Sequence, residues 1–583
     1  MKDKVAVRFA GAAGDGIETV AEIMVKLCIR SGLHVYAYRG YQSAIRGGHV
    51  WSQIRISNNK LYSFGDFFDI LITLNKDGIL YDTPYMSING YIVHDPSIKF
   101  KFEDVGKPYY DINVPLIEFA KKFSRLPVVQ NTVALGVVIY LLGLPFEYLK
   151  NVILDVFKDK GDEVINMNLN AASAGYEYAK EVYKDIPRDF QLNPDPNKRK
   201  FAMSGNQALA FGAYSAGCKF YAAYPMTPVS PILHWFAEHS KKCGIIVIQP
   251  EDEIAVINMA IGAAHAGVRA MVATSGGGFA LMSESVSMAG MIEVPIVIVE
   301  GQRGAPSTGL PTKTEQGDLK QVLGAGQGSY PKIVLAPRSV EEAFYTAIEA
   351  FNLAEKYQVP VIIMTDLYLC ESITSLEKLN LDIKIDRGWL VNEGEIKDYK
   401  RYMITETGVS PRALPGQKGY NFVAASDEHD EKGNLVSDIL AGLPQMLKIR
   451  NAVMEKRMRK EKYIIQEFPP PKLYGDEDAD ITIVCWGSTC STVREAIEEL
   501  RKEGIKANSL EIKYIHPFQA EEVKNILMKA KRLLLVENNY GALMGKLIAE
   551  NTGIIIKDAL LRYDGEPITP LQVVYKVKEI LVR

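Results

Sequence analysis

The 583 residues are 47% apolar, enough to build a core in each of three or four domains. With 67 Lys and Arg against 70 Asp and Glu the formal net charge is -3, which argues against nucleic acid or an anionic membrane as the main partner. The chain opens on MKDKVAVRFAGAAGDG without a signal-peptide core, and no continuous apolar run has membrane-spanning length, so a soluble, cytoplasmic protein is expected.

Six cysteines, Cys28, Cys218, Cys243, Cys370, Cys485 and Cys490, include no C-x-x-C pair. They read as small buried hydrophobes of a reduced compartment rather than as ligands of zinc or an iron-sulfur cluster. The histidines also lack metal spacing, so no metal held wholly by this chain is expected.

In chain order, VAVRFAGAAGDGIETVAEIMVKLCIRSG reads as a strand, a glycine turn and an amphipathic helix, followed by the strand HVYAY and the loop RGYQSAIRGGHV. Gly11, Gly14 and Gly16 form either a phosphate cradle at the helix start or a purely structural turn. The second strand ends in Tyr38, Arg39 and Gly40 with no acid, which disfavours a ribose-binding nicotinamide site. Alternating strands and helices continue to Lys184, and DIPRDFQLNPDPNKRK, residues 185–200, has the composition of a linker.

Residues 201–379 read as five or six apolar strands alternating with helices, a doubly wound parallel sheet. Three strand-to-helix junctions stand out in it. YAAYPMTPVSP carries two X-Pro steps that delay the next helix and leave Thr227 exposed at a strand end. IIVIQPEDEIAVINMAIGAAHAG places Glu251, Asp252 and Glu253 before an Ala/Gly helix. N-terminal capping accounts for acids there in general, and fits Glu253 least, because the small residues after it imply close packing. VPIVIVEGQRGAPSTG puts Arg303 at a strand end beside Ser307, Thr308 and Gly309, which suits a bidentate grip on a carboxylate.

Residues 380–471 are polar, with the basic helix KIRNAVMEKRMRKEKY expected to show a solvated face and Pro469 to Pro471 forming a stiff spacer. Residues 472–583 resume the alternation of strands and helices.

YPMTP, EDEIAVINMAIGAAHAG, ATSGGGFALM and QRGAPSTG, in that order, resemble the alpha subunit of the 2-oxoacid:ferredoxin oxidoreductases. The resemblance implies three doubly wound α/β domains: a gamma-like domain at 1–184, a thiamine pyrimidine-binding domain at 201–379 and a transketolase C-terminal-like domain at 472–583. It implies coenzyme A-dependent oxidative decarboxylation of a 2-oxoacid to acyl-CoA. In that chemistry Glu253 hydrogen-bonds the aminopyrimidine N1′ of thiamine diphosphate, with Tyr224, Pro225 and Thr227 on the thiamine side. Arg303 and Thr227 hold the substrate carboxylate and carbonyl. Gly14, Gly16 and Arg46, with Gly47 and Gly48, fall to the coenzyme A side. TGVSPRALPG through EHDEKG resembles the region that closes over the active site.

The family's diphosphate-Mg2+ motif and its cluster cysteines are missing here, since the only Gly-Asp-Gly is Gly14 to Gly16. A beta subunit is therefore expected to bring the Mg2+ site and a [4Fe-4S] cluster, with ferredoxin as electron acceptor. Two departures concern the mouth of the site: Met226 replaces the usual isoleucine, and Val229-Ser230 replaces a serine pair. The fused gamma domain resembles the 2-oxoglutarate or broad-specificity branch, and the lack of cysteine-rich segments argues against the aryl-pyruvate branch. The competing readings are a subunit of a non-redox thiamine diphosphate enzyme, a nicotinamide dehydrogenase and a non-catalytic scaffold.

Overall fold

The computed structural model describes residues 1–42, 47–424, 426–436 and 443–582, which form two compact units. Mixed α/β structure is built on three sheets of mostly parallel strands. Among the described residues no helix is long and apolar enough to cross a membrane.

The first unit comprises Met1–Ser204, Glu371–Leu379 and Thr569–Leu571. Its eight-stranded sheet runs Tyr109–Asn113, Met86–His94, Phe68–Thr73, Lys4–Ala12, His49–Ser57, His34–Gly40, Ile373–Leu376, Phe201–Ser204. The first four strands are parallel, and from Lys4–Ala12 onward every pairing is antiparallel. Doubly wound alternation thus describes only one side of this sheet. Residues 185–200 do not run free as a spacer. The Lys2 amide donates to the Asp189 carbonyl and the Gln191 amide to the Lys2 carbonyl, the Asp195 and Lys200 amides donate to the Ser31 and Ile29 carbonyls, and Phe190 is buried. A polar segment can be fixed this way because its backbone, not its side chains, supplies the bonds.

The second unit holds the other two sheets. Seven strands run Tyr514–His516, Ile333–Leu335, Pro360–Asp366, Ile296–Gln302, Ala270–Thr274, Phe220–Ala222, Ile246–Ile248, all parallel except the first. Five run Leu473–Gly475, Ala507–Ile512, Ile481–Trp486, Leu533–Glu537, Asp558–Leu561, again with one antiparallel edge. Val256, Phe279, Met364, Trp486, Ile515 and Met544 belong to a single apolar core, so the two sheets share it.

Residues 380–424, part of the second unit, are irregular and are tied to the rest of it by arginines. Arg387 Nη2 donates to Gly267 O at 2.8 Å, Arg412 Nη2 to Ala264 O at 3.1 Å and Arg401 Nη2 to Glu293 O at 2.7 Å. The helix Pro444–Glu467 departs from the solvated face expected of it, because Lys456, Arg457 and Lys460 are buried. Lys456 and Lys460 bind the two oxygens of buried Glu293 at 2.5 and 2.6 Å, and Arg457 meets both oxygens of Glu428 at 2.9 Å. Charge density alone misled here: acids elsewhere in the chain supply partners that a local reading of the helix does not see.

Candidate active site

After the strand Phe220–Ala222 the chain turns through Tyr224, Pro225, Met226 and Thr227, with a cis Thr227-Pro228 bond, before the helix Ser230–Cys243 begins. The turn lies against the strand Ile296–Gln302: a Cβ on Gly301 would sit 2.6 Å from Val229 Cγ1. Only glycine leaves room for that approach. Arg303, just beyond the same strand, donates from Nη1 to the Thr227 carbonyl at 3.0 Å. Two residues 76 positions apart are thereby joined. Tyr224 is exposed at the turn, and Ser307 and Thr308 are exposed at the tip of the loop after Arg303.

That loop is closed on itself and anchored at its far end. Leu310 and Gly304 form a bridge, the Ala305 amide donates to Glu315 Oε2 at 3.0 Å, and Gln316 exchanges bonds with Asn538 at 2.7 and 2.9 Å. Arg303 therefore projects from a fixed frame.

Of the three clustered acids, Asp252 caps the helix Glu253–His265 by accepting from the Ala255 amide at 2.8 Å, while Glu251 is exposed. Glu253 differs from both. It is 4% exposed, and its Oε1 is buried with no hydrogen-bond partner among the described residues. Ala260 and Ala264 of its own helix are buried, although Gly262 faces open space. The packing comes from the helix Gly276–Met291, whose glycine-rich first turn lets two side chains in. A Cβ on Gly278 would lie 2.0 Å from Thr274 Oγ1 and 2.5 Å from Glu253 Oε1, and one on Gly276 would lie 2.5 Å from Asp318 Oδ2.

Further acids close this edge of the sheet. Glu300 is fully buried, in register with Thr274, and among the described residues no donor reaches either of its oxygens. Burial, together with the nearby Asp318 and Asp366 carboxyls, pushes its pKa well up. Burial also raises Asp318, against the pull of the Arg303 cation, and raises Asp366, whose Oδ1 accepts from the Leu369 amide at 3.0 Å. The sequence reading passed over these acids, although the signal was present: VIVEG and VIIMTD are apolar strands each closed by one acid.

The helices Glu253–His265 and Gly276–Met291 are rich in apolar residues, yet each leaves large apolar side chains uncovered. Ile254, Met259 and Leu281 are 50%, 45% and 51% exposed. A helix apolar all round belongs in an interior.

In the first unit, Gly14 and Gly16 both have left-handed backbones. A Cβ on Gly16 would meet Val128 Cγ2 at 2.7 Å, whereas Gly14 opens on free space. The Ala12 amide is occupied by the loop's own Asp15 Oδ2 at 2.8 Å. Arg46 lies outside the described residues.

The TGVSPRALPG segment is not near Glu253. Arg412 binds Ala264 O and Leu414 packs over Gly267, at the opposite end of that 13-residue helix, roughly 20 Å away at 1.5 Å per residue. In this chain it braces the helix from below.

A buried carboxyl with one oxygen unbonded among the described residues thus stands at a helix start, and an arginine and a threonine are joined beyond two strands that Ala270–Thr274 separates, an arrangement suited to holding a cofactor. Residues 211–446 match the family described as "Pyruvate flavodoxin/ferredoxin oxidoreductase, thiamine diP-bdg", residues 6–178 "Pyruvate ferredoxin/flavodoxin oxidoreductase" and residues 479–573 "Pyruvate:ferredoxin oxidoreductase core domain II". The 2-oxoacid:ferredoxin oxidoreductase 2 subunit alpha of Aeropyrum pernix is 32% identical over 99% of this chain and 98% of its own length. The 2-oxoacid:ferredoxin oxidoreductase subunit alpha of a Sulfolobus species is 35% identical over 96% and 94%. Among solved structures, the 2-oxoglutarate:ferredoxin oxidoreductase of Magnetococcus marinus, with 2-oxoglutarate, coenzyme A and succinyl-CoA bound, superposes with a TM-score of 0.92. It is 33% identical, over 99% of this chain and 100% of that one. The chain belongs to the 2-oxoacid:ferredoxin oxidoreductase alpha subunits. The non-redox, nicotinamide and scaffold readings give way to that membership.

Proposed function

We propose that this chain, paired with a beta subunit, catalyses the coenzyme A-dependent oxidative decarboxylation of a 2-oxoacid to an acyl-CoA and carbon dioxide, with electrons leaving to ferredoxin. The observation that carries the reading is the buried Glu253 carboxyl, whose Oε1 has no partner among the described residues. A desolvated carboxyl left unbonded is costly unless a ligand that can share a proton with it completes it. The aminopyrimidine N1′ of thiamine diphosphate is a group of matching kind, and when bound the cofactor supplies the carbanion chemistry by which a 2-oxoacid loses carbon dioxide.

Each of the chain's residues then has a separate task. Glu253 holds the pyrimidine and exchanges a proton with it, while Gly278 leaves the space in which its carboxyl stands. Arg303 grips the substrate carboxylate from its place beside the Thr227 carbonyl, and the Thr227 hydroxyl faces the substrate carbonyl. Tyr224 and Pro225 wall the thiamine side. For coenzyme A the reading is narrower. Gly14 offers an open left-handed turn, Gly16 is explained by packing, and Arg46 belongs to the proposal on the resemblance alone.

The beta subunit would bring the diphosphate and Mg2+ ligands and a [4Fe-4S] cluster. Its surface of contact includes the exposed Ile254, Met259 and Leu281 of the helices that begin near Glu253.

The test is to produce the chain with and without its partner and follow coenzyme A-dependent viologen reduction with pyruvate, 2-oxoglutarate and 2-oxobutyrate. Activity is expected for the pair only. Arg303→Ala should raise the KM for the oxoacid about tenfold or more, the loss of a charge-assisted pair. An unchanged kcat/KM would remove Arg303 from the substrate.

A further inference from the structure

We propose that Glu300 is a positioning residue for substrate binding: as a neutral carboxylic acid it donates a hydrogen bond to the Asp318 carboxylate and thereby fixes the negative charge against which Arg303 is set. The inference rests on the reading of Arg303 as the oxoacid grip.

Glu300 lies in register with Thr274 on one side and Met364 on the other, fully buried, so water cannot serve its carboxyl. An isolated carboxylate there would be strongly disfavoured. The charged or titratable groups that act on it are Asp318, from the loop ahead of the helix Leu319–Leu323, and Asp366, from the end of the strand Pro360–Asp366, and both hold its proton on. A protonated carboxyl is a donor, and it needs an acceptor.

Asp318 is built to be that acceptor. Its own amide donates to Gln302 Oε1 at 3.1 Å, which ties it to the strand that carries Glu300. Its Oδ2 lies over Gly276 at the start of the 16-residue helix Gly276–Met291, where the helix dipole favours an anion. The Arg303 cation and the Glu300 proton both favour its charged form. Without the Glu300 donor, burial would leave Asp318 to take up a proton itself, and Arg303 would lose its counter-charge. Removal of the donor should therefore act on oxoacid binding more than on the chemical step.

The experiment compares Glu300→Gln, which keeps a neutral donor, with Glu300→Met, which keeps length but donates nothing, in the complete pair of chains. Glu300→Met should raise the oxoacid KM roughly tenfold with kcat within about twofold, whereas Glu300→Gln should keep both near wild type. Equal effects of the two variants, or no effect of either, would overturn the proposal.

Thermal unfolding gives a second readout that does not depend on turnover or on the methionine variant folding. A carboxyl whose folded pKa is raised keeps its proton where the unfolded chain has released it, so wild type loses stability relative to Glu300→Gln as pH climbs above the ordinary carboxylate range. The Tm advantage of Glu300→Gln should widen between pH 6 and pH 9, and a constant or reversed gap would show that Glu300 is not held protonated. If Arg303→Ala leaves oxoacid use untouched, the reading of Arg303 fails, while the Tm gap still decides the state of Glu300.

Discussion

Gly278 places a limit on Glu253 that can be tested without touching a charged group. A methyl there collides with the Thr274 hydroxyl and the Glu253 carboxyl together, at 2.0 and 2.5 Å from its carbon. Because the backbone at Gly278 is ordinary helix, Gly278→Ala should fold, at an overpacking cost of about 1–3 kcal/mol. Displacing the acid by about an ångström should lower turnover on the order of 100-fold. Rates near wild type in a well-folded Gly278→Ala would mean the carboxyl is not held where the reading needs it. Glu253, Thr227 and Arg303 were singled out in the sequence because each falls at a strand-to-helix junction. Their surroundings were not: Glu253 is enclosed by Thr274 and Gly278, 21 and 25 positions further along the chain, and no local pattern reveals which face of a helix a distant glycine leaves open.

Among the elements, the helix Pro444–Glu467 carries the firmest stability claim. Lys456 and Lys460 flank a single carboxylate, Glu293, with Arg401 also close by, so the buried cluster holds excess positive charge. Glu293 is held well below the usual carboxylate range by the lysines, against its burial, and Lys456 is pushed down to about 7, chiefly by burial and despite the pull of Glu293. Glu293→Gln should cost about 3–5 kcal/mol of stability, since it strands two buried cations. The lysine sets a sign as well. A folded-state pKa below the unfolded one means the folded chain holds fewer protons between about pH 7 and the ordinary lysine range, so stability contributed at this site rises with pH across that window. Lys456→Met should flatten the slope of Tm against pH from 7 to 9, and an unchanged slope would place the effect elsewhere. The basic helix was visible in the sequence and its burial was not, because Glu293 lies 163 residues from Lys456 and only the fold joins them.

At the scale of the whole molecule, the strands of all three sheets follow from apolar runs punctuated by glycine and proline, and the alternation called α/β architecture correctly. Strand direction was less accessible. In the first unit the antiparallel half is completed by Ile373–Leu376 and Phe201–Ser204, whose places in that sheet depend on long-range pairing. The proposal that a second chain completes the site has consequences for assembly. The exposed Ile254, Met259 and Leu281 should be covered in the working enzyme, so Leu281→Arg is expected to weaken association with the beta subunit at least tenfold in sedimentation or titration calorimetry. Unchanged affinity would move the interface elsewhere.

The most direct test of the central claim is the rate of coenzyme A-dependent viologen reduction by the pair in which Glu253→Gln replaces the wild-type chain. With the two chains still associated, turnover should fall to background, because an amide cannot exchange the proton that the carboxyl does. Reduction at the wild-type rate would contradict the assignment of Glu253 and, with it, the half-site on which the account is built.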